Sequence, residues 1–221
     1  GTLDEPLISC VRAYARAQRA GGIGADDTDV IQGSAPIGVL AVAAAQEMGA
    51  GRVVVIGGAE HPRLELCRRF GADATICIDE IERPEDRIAA VRDAVGGFGF
   101  GADLVMDCTG HPTAGPEGIE MLRDGGTYVE MGQFTDAGSI ETNWHRICTK
   151  DLNVLGSWAF TANDIPKGIA MLDRACDRYP WLEMQTTFPF SERGISDAIE
   201  AALAMRSVKS TIVPSPELAE T

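Results

Sequence analysis

The 221-residue sequence predicts an α/β fold built on a doubly wound parallel sheet. Short runs rich in valine and isoleucine alternate with helical patterns along most of the chain. Several of these runs are apolar at every position, as expected for strands that are covered by helices on both faces. The first strand also leads into a helix through a turn that contains glycine, which is typical of this fold class.

The first helix is predicted over residues 3–20. Its apolar residues recur at helical spacing, and Asp4, Glu5 and Pro6 supply the acids and the proline that favour a helix start. Two glycines, Gly21 and Gly22, end this helix, and an acidic turn leads into the first strand.

Strands and helices then alternate along the chain. The predicted strands are residues 29–32, 52–56, 74–78, 104–108 and 127–131, and the predicted helices are residues 37–48, 62–70, 84–95 and 116–122. A sixth strand at 153–155 precedes a helix at about 164–176. The last part is predicted as a strand at 185–190, a helix at 195–205 and a strand at 210–213, which we interpret as an appended strand-helix-strand unit.

Composition excludes some classes of partner. The formal net charge is -14 and the isoelectric point is about 4.6, so the protein as a whole repels nucleic acid and anionic membranes. No segment reaches the roughly 18 uninterrupted apolar residues of a membrane helix. The six cysteines contain no C-x-x-C pair, a usage that suits reduced thiols, and we expect a cytoplasmic protein.

The glycine turn is the strongest functional motif. Gly33, Ala35 and Gly38 occupy the spacing of G-x-G-x-x-G, with alanine at the middle position. In such a turn a dinucleotide pyrophosphate rests on the helix N-terminus, so Gly33, Ala35, Pro36, Ile37 and Gly38 are the candidate pyrophosphate-binding residues. The alternative is an ordinary strand-turn-helix junction with two glycines.

The acid that normally follows the second strand and binds the ribose of NAD is missing. Gly57 stands in its place, and Glu60 or backbone amides are the candidates for the ribose. Arg63 either attracts the 2'-phosphate of NADP or is an ordinary residue of the next helix. NAD is favoured because Glu60 would repel a nearby phosphate, and NADP is not excluded.

Motifs along nearly the whole chain resemble one family. They are Glu5-Pro6-Leu7, the turn from Gly33 to Gly38, Arg63-Leu64-Glu65-Leu66, Phe70-Gly71-Ala72-Asp73, Asp107-Cys108-Thr109-Gly110, Gly125-Gly126-Thr127-Tyr128-Val129, Met131-Gly132, Lys150 and Gly156-Ser157. Together they resemble the medium-chain dehydrogenase family, in its zinc-dependent polyol and threonine dehydrogenase-like branch.

The resemblance implies a Rossmann domain flanked by remnants of a discontinuous catalytic domain. Residues 1–24 are then a helix that joins the missing catalytic domain, 25–184 the dinucleotide-binding domain, and 185–221 the return into the catalytic domain. The implied function is hydride transfer between a secondary alcohol or polyol and a nicotinamide cofactor, with zinc in the full-length protein. The implied partners are a small alcohol or carbonyl substrate and further copies of the chain, as a dimer or tetramer.

Several site residues follow from the same resemblance. Cys108, Thr109 and Gly110 end the fourth strand, and Met131 and Gly132 end the fifth, so both groups lie at the edge of the sheet where ligands bind. By resemblance they line the nicotinamide side, together with Ser157. Cys108 and Met131 can equally be core residues.

Glu5 occupies the position of a glutamate at or beside the catalytic zinc in polyol dehydrogenase-like members. The alternative is an acid that is stabilised by the helix dipole at the N-terminus of the first helix. The catalytic residues themselves are expected mostly in the missing half. Two further hypotheses remain open, a non-catalytic dinucleotide-binding module and a zinc-free enone or quinone reductase of the same superfamily.

Overall fold

The computed structural model describes residues 1–58, 63–96 and 100–214. The helices are α1 (Asp4–Arg19), α2 (Pro36–Met48), α3 (Arg63–Arg69), α4 (Pro84–Val95), α5 (Ala114–Met121), α6 (Trp144–Thr149), α7 (Ile165–Arg174) and α8 (Glu192–Leu203). The strands are β1 (Thr28–Gln32), β2 (Arg52–Gly57), β3 (Ala74–Cys77), β4 (Ala102–Asp107), β5 (Leu122–Glu130), β6 (Asn153–Gly156), β7 (Gln185–Pro189) and β8 (Lys209–Val213). Within these ranges no helix has the length and apolar character needed to cross a membrane.

Six parallel strands form the main sheet in the order β3-β2-β1-β4-β5-β6. The chain therefore runs outward from β1 to one edge and then returns to build the other half from β4. Loops that leave β1 and β4 at their carboxyl ends diverge to opposite sides, and the divergence opens a crevice between them. The predicted fold class is confirmed.

Helices cover both faces of this sheet. One face buries Ile31, Val53 and Val55 against α1 and α2, and the other buries Val30 and Val54 against α4 and α5. Because successive side chains of a strand point to opposite faces, a strand between two helical layers must be apolar at consecutive positions. This explains the continuous valine and isoleucine runs of the sequence.

The C-terminal residues form a separate unit. β7 and β8 pair in parallel as a two-stranded sheet, and α8 connects them. One side of α8 presents Ile195, Ile199 and Leu203 to solvent, with Leu203 78% exposed. The predicted strand-helix-strand unit is present, although α8 begins earlier than expected because the Ser191 side chain caps it by accepting from the Gly194 N–H.

The main departure from the sequence-based expectations is α6. The sequence patterns predict no helix or strand between residues 131 and 153, but Trp144 and His145 begin a short helix there. The Asn143 side chain starts it by accepting a hydrogen bond from the His145 N–H at 3.1 Å. The other differences are shifts of element ends, the largest in β5, which begins at Leu122 instead of Thr127.

A buried tyrosine and a buried aspartate connect α1 to β1. The Tyr14 hydroxyl donates to Asp29 Oδ2, and both residues are fully buried. Within the described part of the chain, Asp29 Oδ1 has no hydrogen-bond partner. Burial raises the pKa of Asp29 to about 7, and the hydrogen bond from Tyr14 only partly opposes this. The folded state therefore holds a proton that the unfolded chain releases at much lower pH.

We predict that Asp29 makes the protein less stable as the pH rises from about 4 to 7. Because its folded pKa lies above its unfolded pKa, its contribution is fully present below the unfolded value and is lost at up to ~1.4 kcal/mol per pH unit. In urea unfolding at pH 5 to 8, Asp29→Asn should flatten this dependence. Asp93→Asn, on exposed α4 surface, should keep the wild-type slope. An unchanged slope in Asp29→Asn would contradict this account.

Candidate cofactor cleft

A cleft of about 550 Å³ opens at the carboxyl ends of the central strands. Gly33 follows β1, Gly57 and Gly58 lie at the end of β2, and Thr109 follows β4, so the cleft lies across the point where the strand order reverses. Its outer wall is formed by residues after β3 and at α5, including Ile78, Asp79, Glu82 and Glu117. Open parallel sheets bind their ligands at this position.

The turn between β1 and α2 brings backbone against backbone. Gly33 has φ +107, and a β-carbon there would lie 3.3 Å from the Cys108 carbonyl group. A β-carbon on Gly38 would overlap the carbonyl oxygen of Gly33. Both positions therefore require glycine, the first for its backbone angle and both for the close approach of the chain.

Helix α2 has an uncapped N-terminus, which follows closely on Gly33 at the edge of the cleft. Ala35 is the N-cap residue, with φ -72 and ψ 177, and offers no side-chain hydrogen bond. Pro36 has no N–H, and the first turn contains no acid. The N–H groups of Ile37 and Gly38 have no acceptor within the helix, because the first turn of a helix never provides one. These donors and the helix dipole can hold an anion.

The close packing around Gly57 explains why an acid does not occupy this position. A β-carbon at this position would lie 2.5 Å from the Ser34 Oγ atom, and Ser34 is itself buried. The end of β2 thus packs directly on the glycine turn, and no longer residue fits there unless Ser34 moves. The glycine at position 57, where the usual motif has an acid, and the serine at position 34 therefore depend on each other, because the two residues pack in direct contact.

Other residues provide the charge at the β2–β3 end of the cleft. Two acids, Asp79 and Glu82, line it after β3. Arg63 points elsewhere, because its guanidinium donates to the Ser207 carbonyl at 3.4 Å. Glu60, the candidate from the sequence, lies outside the described residues.

The predicted residues after β4 and β5 meet through their backbones. A β-carbon on Gly132 would overlap the Gly110 nitrogen, and one on Gly110 would lie 2.6 Å from the Gly132 carbonyl oxygen. Thr109 is exposed beside them and lines the cleft, whereas Cys108 is buried with its thiol pKa raised by burial. Gly110 and Gly132 thus shape this end, and Cys108 packs in the core.

Met131 and Ser157 line a second, smaller cleft. It measures about 330 Å³ and lies between the ends of β5 and β6 and the side of α1. Ser157 Oγ is buried there, and none of the residues described by the structure gives it a hydrogen bond. Arg12 and Arg16 of α1 form the opposite wall. The predicted nicotinamide-side residues are therefore divided between two neighbouring clefts.

Sequence reasoning missed two acids beneath these turns. Asp107 ends β4 and Glu130 ends β5, and the two are paired in the register of the sheet. Asp107 accepts from the backbone N–H and hydroxyl of Thr109, both at 2.6 Å. The detectable signal was an acid at the last position of two strands that a parallel sheet places side by side.

The described residues do not by themselves form a metal site. Within them there is no group of three histidine, cysteine or carboxylate side chains placed to hold an ion. Glu5 lies in the first turn of α1 with its side chain exposed. It could contribute one oxygen ligand, so ligands for zinc would have to come from other residues.

Comparisons with known proteins agree with this architecture. The profile described as zinc-binding dehydrogenase matches residues 36–174. Erythritol/L-threitol dehydrogenase of Mycolicibacterium smegmatis is 34% identical over 82% of this chain and 49% of its own length. An alcohol dehydrogenase structure from Thermotoga maritima superposes with a TM-score of 0.82 at 27% identity, over 94% of this chain and 55% of that one.

A second solved structure is a zinc-binding dehydrogenase from Sinorhizobium meliloti bound to NADP. It has a TM-score of 0.81 and 25% identity, covering 96% of this chain and 58% of that chain. The chain spans about half the length of the curated relatives it matches. With its profile match, its relatives and its six-stranded parallel sheet, the chain belongs to the zinc-binding, medium-chain dehydrogenase family.

Proposed function

We propose that this chain is the nicotinamide-dinucleotide-binding part of an oxidoreductase that acts on a secondary alcohol or polyol. The observation that carries the proposal is the uncapped N-terminus of α2, which begins three residues after Gly33, a residue that lines the cleft at the reversal of strand order. A phosphate-bearing ligand satisfies those donors. The polyol relative supports the substrate class.

The residues of this chain bind and orient the cofactor. Gly33, Ala35, Pro36, Ile37 and Gly38 seat the pyrophosphate, and Gly57 lets β2 pack beneath it. Thr109, Gly110 and Gly132 shape the nicotinamide end, with Met131 and Ser157 at its β6 side. When bound, the cofactor supplies the hydride acceptor or donor.

In this proposal most of the catalytic residues lie outside the part of the protein that the structure describes. The chain covers about half of its relatives, and the described residues do not form a zinc site. We assign Glu5 as the one residue here that would approach zinc, from the start of α1. Residues 1–24 and 185–221 then belong with the catalytic domain, and residues 25–184 with the cofactor.

The charge around the cleft favours NAD over NADP. Asp79 and Glu82 line the β2–β3 end, where the adenosine ribose is expected. A 2'-phosphate there would face two carboxylates. Arg63 is committed to Ser207, and Arg87, which also lines the cleft, is paired with Glu117. The acids after β3 thus replace the missing acid at Gly57.

We also propose that two copies pair through β6. This strand is the edge of the main sheet, and Val154 on it is 45% exposed. Trp144 and Trp158 nearby are 75% and 70% exposed. An apolar sheet edge of this kind is normally covered, and a second copy of the same strand covers it symmetrically.

A cytoplasmic location is proposed from the cysteines. All six are free, and two of them, Cys148 and Cys176, are exposed. Unpaired exposed thiols suit a reducing compartment.

Titration with NADH and NADPH tests the function. We expect NADH to bind more tightly, with protein fluorescence as the readout. The double variant Asp79→Asn, Glu82→Gln should gain affinity for NADPH by about fivefold or more, because removing like charge near a phosphate contributes ~1 kcal/mol. Glu85→Gln, outside the cleft on α4, is the control and should change neither affinity. Failure to bind either dinucleotide would overturn the proposed function.

Substitution of Gly38 tests the pyrophosphate seat. In Gly38→Ala the new methyl group overlaps the Gly33 carbonyl and pushes α2 away from the turn. We expect the free energy of unfolding to fall by about 1–3 kcal/mol and NADH binding to weaken about tenfold or more. Gly115→Ala, where the nearest atom is Tyr128 Oη at 3.8 Å, should be tolerated. Equal NADH affinities in the two variants would contradict the assignment.

A lysine on the sheet edge tests the pairing of copies. Val154→Lys places a charge on β6, and we expect light scattering at micromolar concentration to change from dimer, or larger, to monomer. Leu182→Lys is the matched control, since Leu182 is 81% exposed but lies far along the chain from β6. A wild-type protein that is already monomeric would refute the proposed pairing.

A further inference from the structure

Two acids face each other at the cofactor edge of the sheet. Asp107 and Glu130 are the last residues of the neighbouring strands β4 and β5, and they are partners in the parallel register. Side chains at paired positions of adjacent parallel strands point to the same face. The two carboxyl groups therefore lie side by side beneath the turns that end in Thr109 and Gly132.

Each carboxyl group holds the turn that follows its own strand. Asp107 Oδ1 accepts from the N–H and the hydroxyl of Thr109, both at 2.6 Å. Glu130 Oε1 accepts from the N–H groups of Gly132 and Gln133, at 3.0 and 3.1 Å. The backbones of both turns are thus oriented by carboxylate oxygens.

The carboxyl oxygens that do not hold a turn are placed to share a proton between the two acids. Asp107 Oδ2 is buried and has no hydrogen-bond partner among the residues that the structure describes. Glu130 at the paired position of β5 carries the neighbouring carboxyl group, which is a donor when it is protonated. Two adjacent carboxylates with one proton between them form a strong hydrogen bond, whereas two ionised carboxylates repel each other.

Among the residues that the structure describes, no cation forms an ion pair with either acid. Tyr128 on β5 lies 3.4 Å from Glu130 Oε2, and the buried Cys108 thiol is adjacent. On the α5 side, Glu117 is already paired with Arg87. From α1, Arg12 and Arg16 line the smaller cleft together with Glu130, and Arg12 pairs with Asp164.

Burial and mutual repulsion both act on this pair. Burial raises the pKa of Asp107, and burial, followed by the charge of Asp107, raises the pKa of Glu130 to about 7. The pair therefore keeps one proton below neutral pH and loses it above. Loss of the proton leaves two negative carboxylates beneath the two turns, which touch through Gly110 and Gly132.

We propose that Asp107 and Glu130 are positioning residues for the nicotinamide end of the cofactor, which they hold in place by sharing one proton between the turns after β4 and β5. This inference rests on the proposed function, because it concerns the same cleft. Neither acid touches the cofactor in this assignment. They act through Thr109, Gly110 and Gly132.

Cofactor binding as a function of pH tests the proposal. The chain is titrated with NADH at pH 6, 7 and 8 and constant ionic strength. If only the singly protonated pair binds well, its population falls from about nine-tenths to about one-tenth over this range, and NADH affinity falls about tenfold. Glu130→Gln keeps the acceptor for the Gly132 and Gln133 N–H groups and a donor toward Asp107. It should bind as tightly at pH 8 as at pH 6, within about twofold.

A matched control separates this pair from other titrating groups. Glu141→Gln makes the same change in an exposed loop residue and should retain the tenfold dependence. Asp107→Asn is a second variant that should also lose it, and thermal unfolding of each variant verifies the fold. A tenfold dependence that survives in both Glu130→Gln and Asp107→Asn, or its absence from the wild type, would overturn the inference alone. No binding of NADH at any pH would overturn the proposed function as well.

Discussion

The close contact of the main chain at the ends of β1, β4 and β5 is the constraint on which the cleft depends. Gly38 lies on the carbonyl of Gly33, Gly33 lies beside Cys108, and Gly132 lies on Gly110. At each contact a single methyl group would force the strands and α2 apart. The cleft owes its shape to glycines because only a bare backbone allows strand ends to approach this closely.

Two groups of acids in the described structure have different roles. Asp29, Asp107 and Glu130 are at strand ends inside the fold, and burial raises the pKa of each. They are held by hydrogen bonds from hydroxyl and backbone N–H groups instead of by cations. Asp79 and Glu82 lie at the open side of the cleft. Asp29 therefore connects α1 to β1, Asp107 and Glu130 hold the backbone of the turns after β4 and β5, and the second group sets the charge that an entering ligand meets.

The fold class and most helices and strands could be predicted from the sequence. The spacing of apolar residues and the positions of glycines are local signals, and they were sufficient for this. The sequence could also place Gly33, Gly38, Thr109 and Gly132 at one edge of the sheet, since strand ends of a parallel sheet meet there. It could not identify Asp107 and Glu130 as a pair. That needs the β4–β5 register and the hydrogen bonds by which each carboxyl group holds the turn after its own strand, and both are seen only in the folded chain. It also could not explain Gly57, since Ser34 contacts it only in the folded chain.

The order of strands also has a consequence for how the chain assembles. β1, β2 and β3 are consecutive, so with α2 and α3 they can form half of the sheet as soon as they leave the ribosome. The other edge of β1 forms its backbone hydrogen bonds only when β4 has been synthesised, since Asp29 pairs with Leu104 across a long intervening segment. During that interval β1 lacks the backbone hydrogen bonds that β4 later provides. The cleft does not exist until β4 docks, so a bound dinucleotide stabilises only the completed sheet.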